Sequence, residues 1–173
     1  MVNIYCIDTS SIIDMQQYYP IKRVQKYWQL LDGLVSQRRL IAPVEVFKEL
    51  TKSVDPYLWA YSHKKNKHLF ISKFAGKYSK AQKVISECKG LIDPNKPSLI
   101  QADPYLIALV QYMSSRLVQR TLNSSTLKST YIILTEEQAT GNIDKYKIPD
   151  ACKKYGIQHY PMRKLLELEN WIL

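Results

Sequence analysis

The chain has 173 residues, and its 25 Lys and Arg outnumber its 15 Asp and Glu to give a net charge of +10 at neutral pH. An apolar fraction of 46% and a charged fraction of 23% are typical of a globular protein, so we expect one domain over residues 1–173 and no extended disorder. The sequence contains no apolar run of about 18 residues, so no membrane-spanning helix is expected.

The cysteines and the first residues predict a reducing, cytoplasmic environment. Cys6, Cys88 and Cys152 lie far apart and form no CxxC pair, so neither a disulfide framework nor a cysteine zinc site is expected. The first eight residues contain no basic stretch ahead of a long apolar region, and we therefore expect no secretory signal.

The first half of the chain alternates short apolar runs with amphipathic segments. Residues 2–7 and 40–42 are largely apolar, which is typical of strands buried on both faces of a parallel sheet. Residues 8–11 would end the first strand and cap a helix. After Pro20, apolar residues recur at spacings of three and four, which predicts a helix from Ile21. We predict further helices from Pro43 to about Lys52, from Asp55 into residues 64–67, and from Gly76 to Leu91.

The second half continues the alternation after a loop at residues 93–97. Asp103 and Pro104 open an apolar helix, and Gly156 is a left-handed cap that ends a short one. The predicted elements are a helix at 105–118, a strand at 130–135, a short helix at 151–155, a strand at 157–160 and a helix at 163–171. This order predicts an α/β fold, a three-layer α/β/α sandwich with a central, mainly parallel sheet.

Basic residues are concentrated between positions 61 and 90. Eight lysines lie there against one acid, Glu87, and such a positive field attracts polyanions, of which nucleic acid is the commonest in a cell. The alternative is a solvated helix face that keeps the protein soluble. We name this set the lysine belt: Lys64, Lys65, Lys67, Lys73, Lys77, Lys80, Lys83 and Lys89.

Acidic residues follow several of the predicted strands. In a parallel sheet, ligands bind beyond the carboxyl ends of the strands, so we expect carboxylates from four distant segments to converge there. The candidates are Asp8 after the first strand, Glu45 and Glu49 on the helix after the second, Asp103 at a helix start, and Glu136 and Glu137 after the third strong strand.

Such a cluster of carboxylates favours a bound cation. Ionised carboxylates in one pocket repel each other, so either some become protonated or a cation holds them together. Oxygen ligands without Cys or His suit Mg²⁺ or Mn²⁺, and these ions assist phosphoryl transfer. A basic surface beside the site would hold an anionic substrate. The acidic cluster and the lysine belt together predict a nuclease.

Four segments then reveal a resemblance to a known family. Residues 5–11 (Tyr-Cys-Ile-Asp-Thr-Ser-Ser), 42–50, 102–108 and 133–137 resemble, in order, the successive motifs of PIN domains. The chain is most similar to the single-domain PIN proteins of bacteria and archaea, a group that contains the virulence-associated protein C (VapC) toxins. Residues 147–152 resemble a feature of one largely uncharacterised branch.

This resemblance implies an α/β/α sandwich and an Mg²⁺- or Mn²⁺-dependent endoribonuclease. Its products would carry 5′-phosphate and 3′-hydroxyl ends. The implied role is that of the toxin of a type II toxin–antitoxin pair, with RNA as substrate, an antitoxin protein as partner and a homodimer as assembly.

Carried over to this chain, the resemblance assigns both the catalytic and the metal-binding residues. The small hydroxyl residue after the first acid corresponds to Thr9 or Ser10, which would bind a ligand or phosphate. In the lysine belt, Lys64, Lys65 and Lys67 are the predicted substrate-binding residues. The four acids that would bind the metal and catalyse are Asp8, Glu49, Asp103 and Glu137.

Each assigned acid has a competing interpretation. Asp8 and Asp103 are good helix N-caps whatever the function. The fourth motif departs from the family pattern, because two glutamates stand where many relatives have Asn and Asp, so Glu136 competes with Glu137. The remaining alternatives are Glu45 for Glu49, a capping or site role for Asp150, and a metal-free ribonuclease that uses His63, His68 or His159.

Two other functions stay open at this point. The altered fourth motif favours a PIN-like scaffold that binds RNA or a partner protein without cleaving. A small-molecule phosphohydrolase would use the same metal, but it would have no use for the lysine belt.

Overall fold

The computed structural model describes residues 2–50, 54–63, 68–121 and 129–173. These residues contain five strands and eight helices. In chain order they are β1 (Val2–Ile7), α1 (Thr9–Tyr18), α2 (Gln25–Ser36), β2 (Leu40–Pro43), α3 (Val44–Glu49), α4 (Val54–Ser62), β3 (Phe70–Ile71), α5 (Lys77–Glu87), α6 (Asp103–Thr121), β4 (Ser129–Leu134), α7 (Ile148–Tyr155), β5 (Gln158–Tyr160) and α8 (Lys164–Leu168).

The five strands form one parallel sheet in the order β3-β2-β1-β4-β5. The central strands β1 and β4 pair along six residues, from Val2 opposite Ser129 to Ile7 opposite Leu134. Because this register is in step, the segments that leave the two strands start side by side at the same edge. The backbone N–H of Asp8 donates to the carbonyl of Leu134 at 3.0 Å, which extends the pairing by one residue.

Side chains of the central strands alternate between two apolar cores. Tyr5 and Ile7 belong to the core that also contains residues of α1 to α4, whereas Cys6 belongs to the core formed with α5, α6 and α7. Burial on both faces explains why these strands are almost entirely apolar in sequence. The predicted α/β/α sandwich with a parallel sheet is thereby confirmed.

Several element boundaries differ from the sequence prediction. Residues 20–24 form a turn in which the N–H groups of Arg23 and Val24 donate to the carbonyl of Pro20, so α2 begins at Gln25 rather than Ile21. The terminal helix ends at Leu168 because Asn170 has a positive φ of 53° and leaves the helical conformation.

Two further differences concern the third strand and the predicted helix ends. The two-residue strand β3 was not predicted from the sequence. The predicted extension of the helix after Asp55 into residues 64–67 lies outside the described residues, as do residues 51–53, where the helix from Pro43 was expected to end.

The residue that follows Leu168 ties the C-terminal segment to the sheet. The Glu169 carboxylate accepts two hydrogen bonds from the Arg39 guanidinium and one from the Tyr5 hydroxyl. Among the helices that the structure describes, none is both long and apolar enough to cross a membrane.

Replacing glycine by alanine is expected to change the free energy of unfolding in opposite directions at two positions. Gly90 has φ +86°, and an added Cβ would lie 2.7 Å from the Asp144 carbonyl oxygen and 2.7 Å from Lys145 Cα. We expect Gly90→Ala to lower the free energy of unfolding by about 2 kcal/mol or more. Gly33 lies within α2 with no atom within 4 Å of such a Cβ, so Gly33→Ala is expected to raise it by about 0.5–1 kcal/mol. Urea unfolding followed by circular dichroism measures both, and a stabilised Gly90→Ala variant would contradict the described contact.

Candidate active site

Asp8 stands at the carboxyl end of β1 and is the N-cap residue of α1. Its Oδ1 accepts a hydrogen bond from the Thr9 backbone N–H at 2.6 Å. Its Oδ2 accepts hydrogen bonds from the hydroxyls of Ser10 at 2.5 Å and Thr135 at 3.1 Å. Only 3% of the residue is exposed. The predicted capping role and the predicted place at the sheet edge therefore coexist in this one side chain.

Glu49 is the last residue of α3 and reaches the same edge of the sheet. Its Oε2 accepts a hydrogen bond from the Thr9 hydroxyl, and its Oε1 accepts one from the backbone N–H of Ala102 at 2.8 Å. Ala102 directly precedes α6. The Glu49 carboxylate thus connects the starts of α1 and α6.

Asp103 is the first residue of α6 and is partly exposed. Among the described residues, no donor forms a hydrogen bond with its carboxylate. Burial raises its pKa well above the ordinary range, and the charges of Asp8, Glu137 and Glu49 raise it further, in that order. The carboxylate of Asp103 is therefore the one on which the charges of the other three acids converge.

Glu137 joins this group from the segment after β4. Its Oε1 lies 3.1 Å from the Lys147 Nζ, and its Oε2 accepts a hydrogen bond from the Ile148 N–H at 3.0 Å. Its charge raises the pKa values of Asp8, Glu49 and Asp103. Four carboxylates from four segments thus interact, and we call them the carboxylate cluster: Asp8, Glu49, Asp103 and Glu137.

Lys147 is the cation that faces the carboxylate cluster. The hydrogen bond and charge of Glu137 raise its pKa, and the charges of Asp103 and Asp8 add to that effect. Its backbone N–H donates to Asp150 Oδ2 at 3.0 Å. The Asp150 carboxylate also accepts hydrogen bonds from Thr140 and Gly141, so it folds the loop that carries Lys147.

The burial of Asp8 makes its charged form less favourable and so adds to the repulsion within the cluster. Burial raises the Asp8 pKa to about 6, with a further contribution from the Glu137 charge, although the hydrogen bonds from Ser10 and Thr135 oppose the shift. Behind Asp8, burial also raises the pKa of the Cys152 thiol to about 12 and that of the Cys6 thiol. Neutral thiols next to Asp8 leave its negative charge uncompensated on that side.

The chemistry of these donors fits a hard divalent cation. Carboxylate oxygens are the ligands that Mg²⁺ and Mn²⁺ prefer, and three of the four carboxylates act on the single Lys147 ammonium: Glu137, Asp103 and Asp8. Within the described residues, no three His, Cys, Asp or Glu side chains are arranged to hold one metal ion directly. Mg²⁺ commonly keeps several waters and contacts only one or two carboxylates, so this arrangement is compatible with a hydrated ion.

The structure also places the competing acids. Glu45 forms a buried ion pair with Lys77 at 2.8 Å and is absent from the cluster's hydrogen bonds. Glu136 Oε1 accepts a hydrogen bond from the Met162 N–H at 2.6 Å, while its neighbour Glu137 takes part in the cluster. Glu49 and Glu137 are therefore the members of each pair that the fold brings to Asp8 and Asp103.

The histidines and the predicted substrate-binding residues lie in other settings. His63 Nε2 lies 2.9 Å from Asp32 Oδ1, His159 lies on β5, and no described hydrogen bond joins either ring to the carboxylate cluster. The hydroxyls of Thr9 and Ser10 donate to Glu49 and Asp8, so in this structure they orient carboxylates. The remaining three predicted substrate-binding residues lie outside the described residues: Lys64, Lys65 and Lys67.

Sequence reasoning missed two residues of this site. Thr135 is 2% exposed, donates its hydroxyl hydrogen to Asp8 and accepts the Glu137 N–H at 3.2 Å. A polar residue directly after a buried strand was the available signal. In the sequence, Lys147 was noted only as part of the segment 147–152. The loop that brings its side chain to Glu137 cannot be inferred from the spacing of residues.

An all-parallel α/β protein with an acidic edge is therefore the class that the fold and site define. The chain belongs to the family described as domain of unknown function DUF4411, which it matches over residues 5–173. No curated protein and no solved structure matches the chain.

The repulsion within the cluster predicts a pH-dependent gain in stability for Asp103→Asn. A carboxyl whose folded-state pKa is raised destabilises the fold above that pKa, and the effect disappears below about pH 4, where the unfolded state is protonated too. In chelator, we expect Asp103→Asn to raise the free energy of unfolding by about 1 kcal/mol at pH 8, with a smaller gain at pH 4.5. Urea denaturation at both pH values measures this.

The matched control is Asp144→Asn, which removes an exposed negative charge outside the cluster. Its effect should be small and the same at both pH values. A loss of stability for Asp103→Asn at pH 8 would show that the Asp103 charge is compensated.

Proposed function

We propose that this protein is a metal-dependent endoribonuclease that hydrolyses RNA phosphodiester bonds. The observation that carries the proposal is the Asp103 carboxylate, which faces three other carboxylates and receives no hydrogen bond from the described residues. A protein that holds uncompensated negative charge at the ligand-binding edge of a parallel sheet is suited to bind a cation there. The resemblance of four motifs to PIN domains supports the same conclusion.

The carboxylate cluster would hold Mg²⁺ or Mn²⁺ through Asp8 and Asp103, with Glu49 and Glu137 contributing directly or through the ion's waters. When bound, such an ion neutralises the cluster, polarises a phosphate oxygen and lowers the pKa of a bound water.

The chain's own residues would perform the remaining parts of the reaction. Ser10 and Thr135 fix the Asp8 carboxylate by hydrogen bonds, so that side chain would act as a rigid ligand. Asp103, whose carboxylate accepts no hydrogen bond from the described residues, would have an oxygen free to accept a proton from an attacking water. The Lys147 side chain is 49% exposed, and its ammonium would bind an oxygen of the phosphate.

The choice of RNA over a small phosphate ester rests on surface charge. Lys73, Lys83 and Lys89 of the lysine belt are exposed, and their field would attract a long polyanion. Lys77 departs from that prediction because it is buried against Glu45 and donates to the Ser72 carbonyl. Among the described lysines of the belt, Lys73, Lys83 and Lys89 are therefore at the surface, whereas Lys77 contributes to the core instead.

The biological role follows from the resemblance. We propose that the enzyme is the toxin of a type II toxin–antitoxin pair in the cytoplasm. An antitoxin protein would be its partner, and a homodimer its assembly.

A second candidate function has its own observation. No three acidic, His or Cys side chains among the described residues are arranged to hold an ion directly, and Lys147 already neutralises Glu137. A scaffold that binds RNA without cleaving it would need no more than this. Metal binding by the cluster separates the two candidates.

The central prediction concerns RNA cleavage by purified protein with Mg²⁺ or Mn²⁺. Asp8→Asn and Asp103→Asn are each expected to lower the cleavage rate of a structured RNA by about 100-fold or more, because each removes a charged ligand and Asp103 also accepts the proton. Glu136→Gln is the matched control, since it alters the neighbour of Glu137 that binds the Met162 N–H. Equal cleavage by wild type and Asp8→Asn would refute the proposal.

Metal binding is tested separately from activity. Saturating Mn²⁺ should raise the free energy of unfolding of the wild type at pH 8 by RT ln(1 + [L]/Kd), about 2.7 kcal/mol at 100 times the Kd. Asp8→Asn and Asp103→Asn should lose most of this gain, whereas Asp144→Asn should keep it. Calorimetric titration without RNA provides the Kd directly. Retained RNA affinity with no Mn²⁺ binding would favour the scaffold.

A further inference from the structure

A groove leaves the carboxylate cluster along the segment between α5 and α6. It has a volume of about 530 Å³, within the range of ordinary ligand sites. Glu49, Asp103 and Lys147 line one part of it, so the groove is continuous with the cluster. The rest is lined by eight residues of the segment 90–101 together with Lys48 of α3.

Residues 93–101 form an ordered loop although they contain no helix or strand. The Gln101 side chain accepts a hydrogen bond from the Asp93 N–H at 2.6 Å and donates to the carbonyls of Asp93 at 3.1 Å and Lys96 at 3.3 Å. The Asn95 N–H donates to Asp93 Oδ1 at 2.9 Å. These bonds join the two ends of the loop through the Gln101 side chain.

Two adjacent apolar side chains of this loop stand in the groove without being buried. Leu99 and Ile100 are each 45% exposed, and both line the cavity. Because both side chains remain exposed, they contribute little packing energy to the loop. A bound partner with an apolar surface would bury them and is the simplest source of such stabilisation.

The groove is also lined by three ammonium groups. Lys48 is exposed on α3, and Lys96 makes only an exposed ion pair with Asp93 at 3.2 Å, a type that contributes little and is easily exchanged. Lys147 lies at the end next to Asp103. Cations and exposed apolar side chains in one groove suit a nucleic acid strand, which presents both phosphates and base faces.

We propose that this groove binds the unpaired nucleotides next to the phosphate that is cleaved. Lys48 and Lys96 hold backbone phosphates, and Leu99 and Ile100 pack against the faces of bases. The assignment rests on the proposed function, because it identifies the groove as part of the same site. It makes Leu99 and Ile100 specificity-determining residues, since base faces are accessible in an unpaired strand and covered by stacking in a duplex.

Fluorescence anisotropy tests this with RNA binding alone. The probe is a fluorescein-labelled oligouridylate, titrated in chelator so that no cleavage occurs, and the comparison is the same oligomer annealed to oligoadenylate. Leu99→Ser/Ile100→Ser should weaken binding of the single strand about five- to tenfold and change duplex binding less than twofold. Lys48→Gln/Lys96→Gln should weaken single-strand binding about tenfold and reduce the slope of log K against log salt by about 1.4, because two phosphate contacts are lost.

Matched controls change the same residue types elsewhere on the surface. Ile172→Ser/Leu173→Ser removes exposed apolar side chains that are 82% and 46% exposed, and Lys26→Gln removes an exposed lysine of α2. Both should bind the single strand as the wild type does. Thermal unfolding confirms that each variant is folded, and Leu99→Ala/Ile100→Ala replaces the serine pair if that pair is not.

The outcomes separate this inference from the proposed function. Unchanged single-strand affinity in both groove variants overturns the groove assignment but does not bear on the proposed nuclease activity. The same result is expected if the groove binds a protein partner instead of RNA. Equal losses for single strand and duplex overturn the role of Leu99 and Ile100 as readers of unpaired bases. Selective loss in the groove variants, with no metal-dependent cleavage by the wild type, supports the groove and refutes the nuclease.

Discussion

The parallel pairing of β1 with β4 is the constraint on which the candidate site depends, because it holds acidic groups together against their mutual repulsion. The in-step pairing of β1 and β4 starts the segments of Asp8 and Thr135 side by side, and the Thr135 hydroxyl then holds the Asp8 carboxylate. The Ala102 N–H holds Glu49 close to the start of α6, where Asp103 lies. The fold therefore uses backbone amides and hydroxyls to keep negative groups together, which is the arrangement that the proposed Mg²⁺ or Mn²⁺ site would require.

Much of the fold could be predicted from the sequence because its central strands are buried on both faces. The second halves of strands 2–7 and 129–134 are buried and apolar, and that pattern is visible without any tertiary information. The strand β3 could not be predicted, since two residues carry no periodicity. The end of α8 was missed because Asn170 adopts a positive φ next to Glu169, which contacts Arg39 across 130 residues of sequence, and neither feature is visible in the local pattern.

The acidic residues of the candidate site could be predicted from the sequence, but the role of Lys147 could not. Asp8 and Asp103 stand directly at element ends, so their positions follow from the order of strands and helices. Glu45 and Glu49 lie one turn apart on α3, and only the tertiary contact of Glu45 with Lys77 separates their roles. The position of Lys147 depends on a loop that Asp150 holds through four hydrogen bonds. No local sequence pattern predicts that this loop places Lys147 beside Glu137.

The Asp103 carboxylate, which receives no hydrogen bond from the described residues, has a consequence for how descendants of this chain would diverge. Where a side chain that serves a function also destabilises the fold, a mutation that removes it raises the free energy of unfolding. Loss of the function then carries no stability penalty. Persistence of the acid in a lineage would then record continuing selection for chemistry, while its replacement by a neutral residue would mark a copy kept for binding alone.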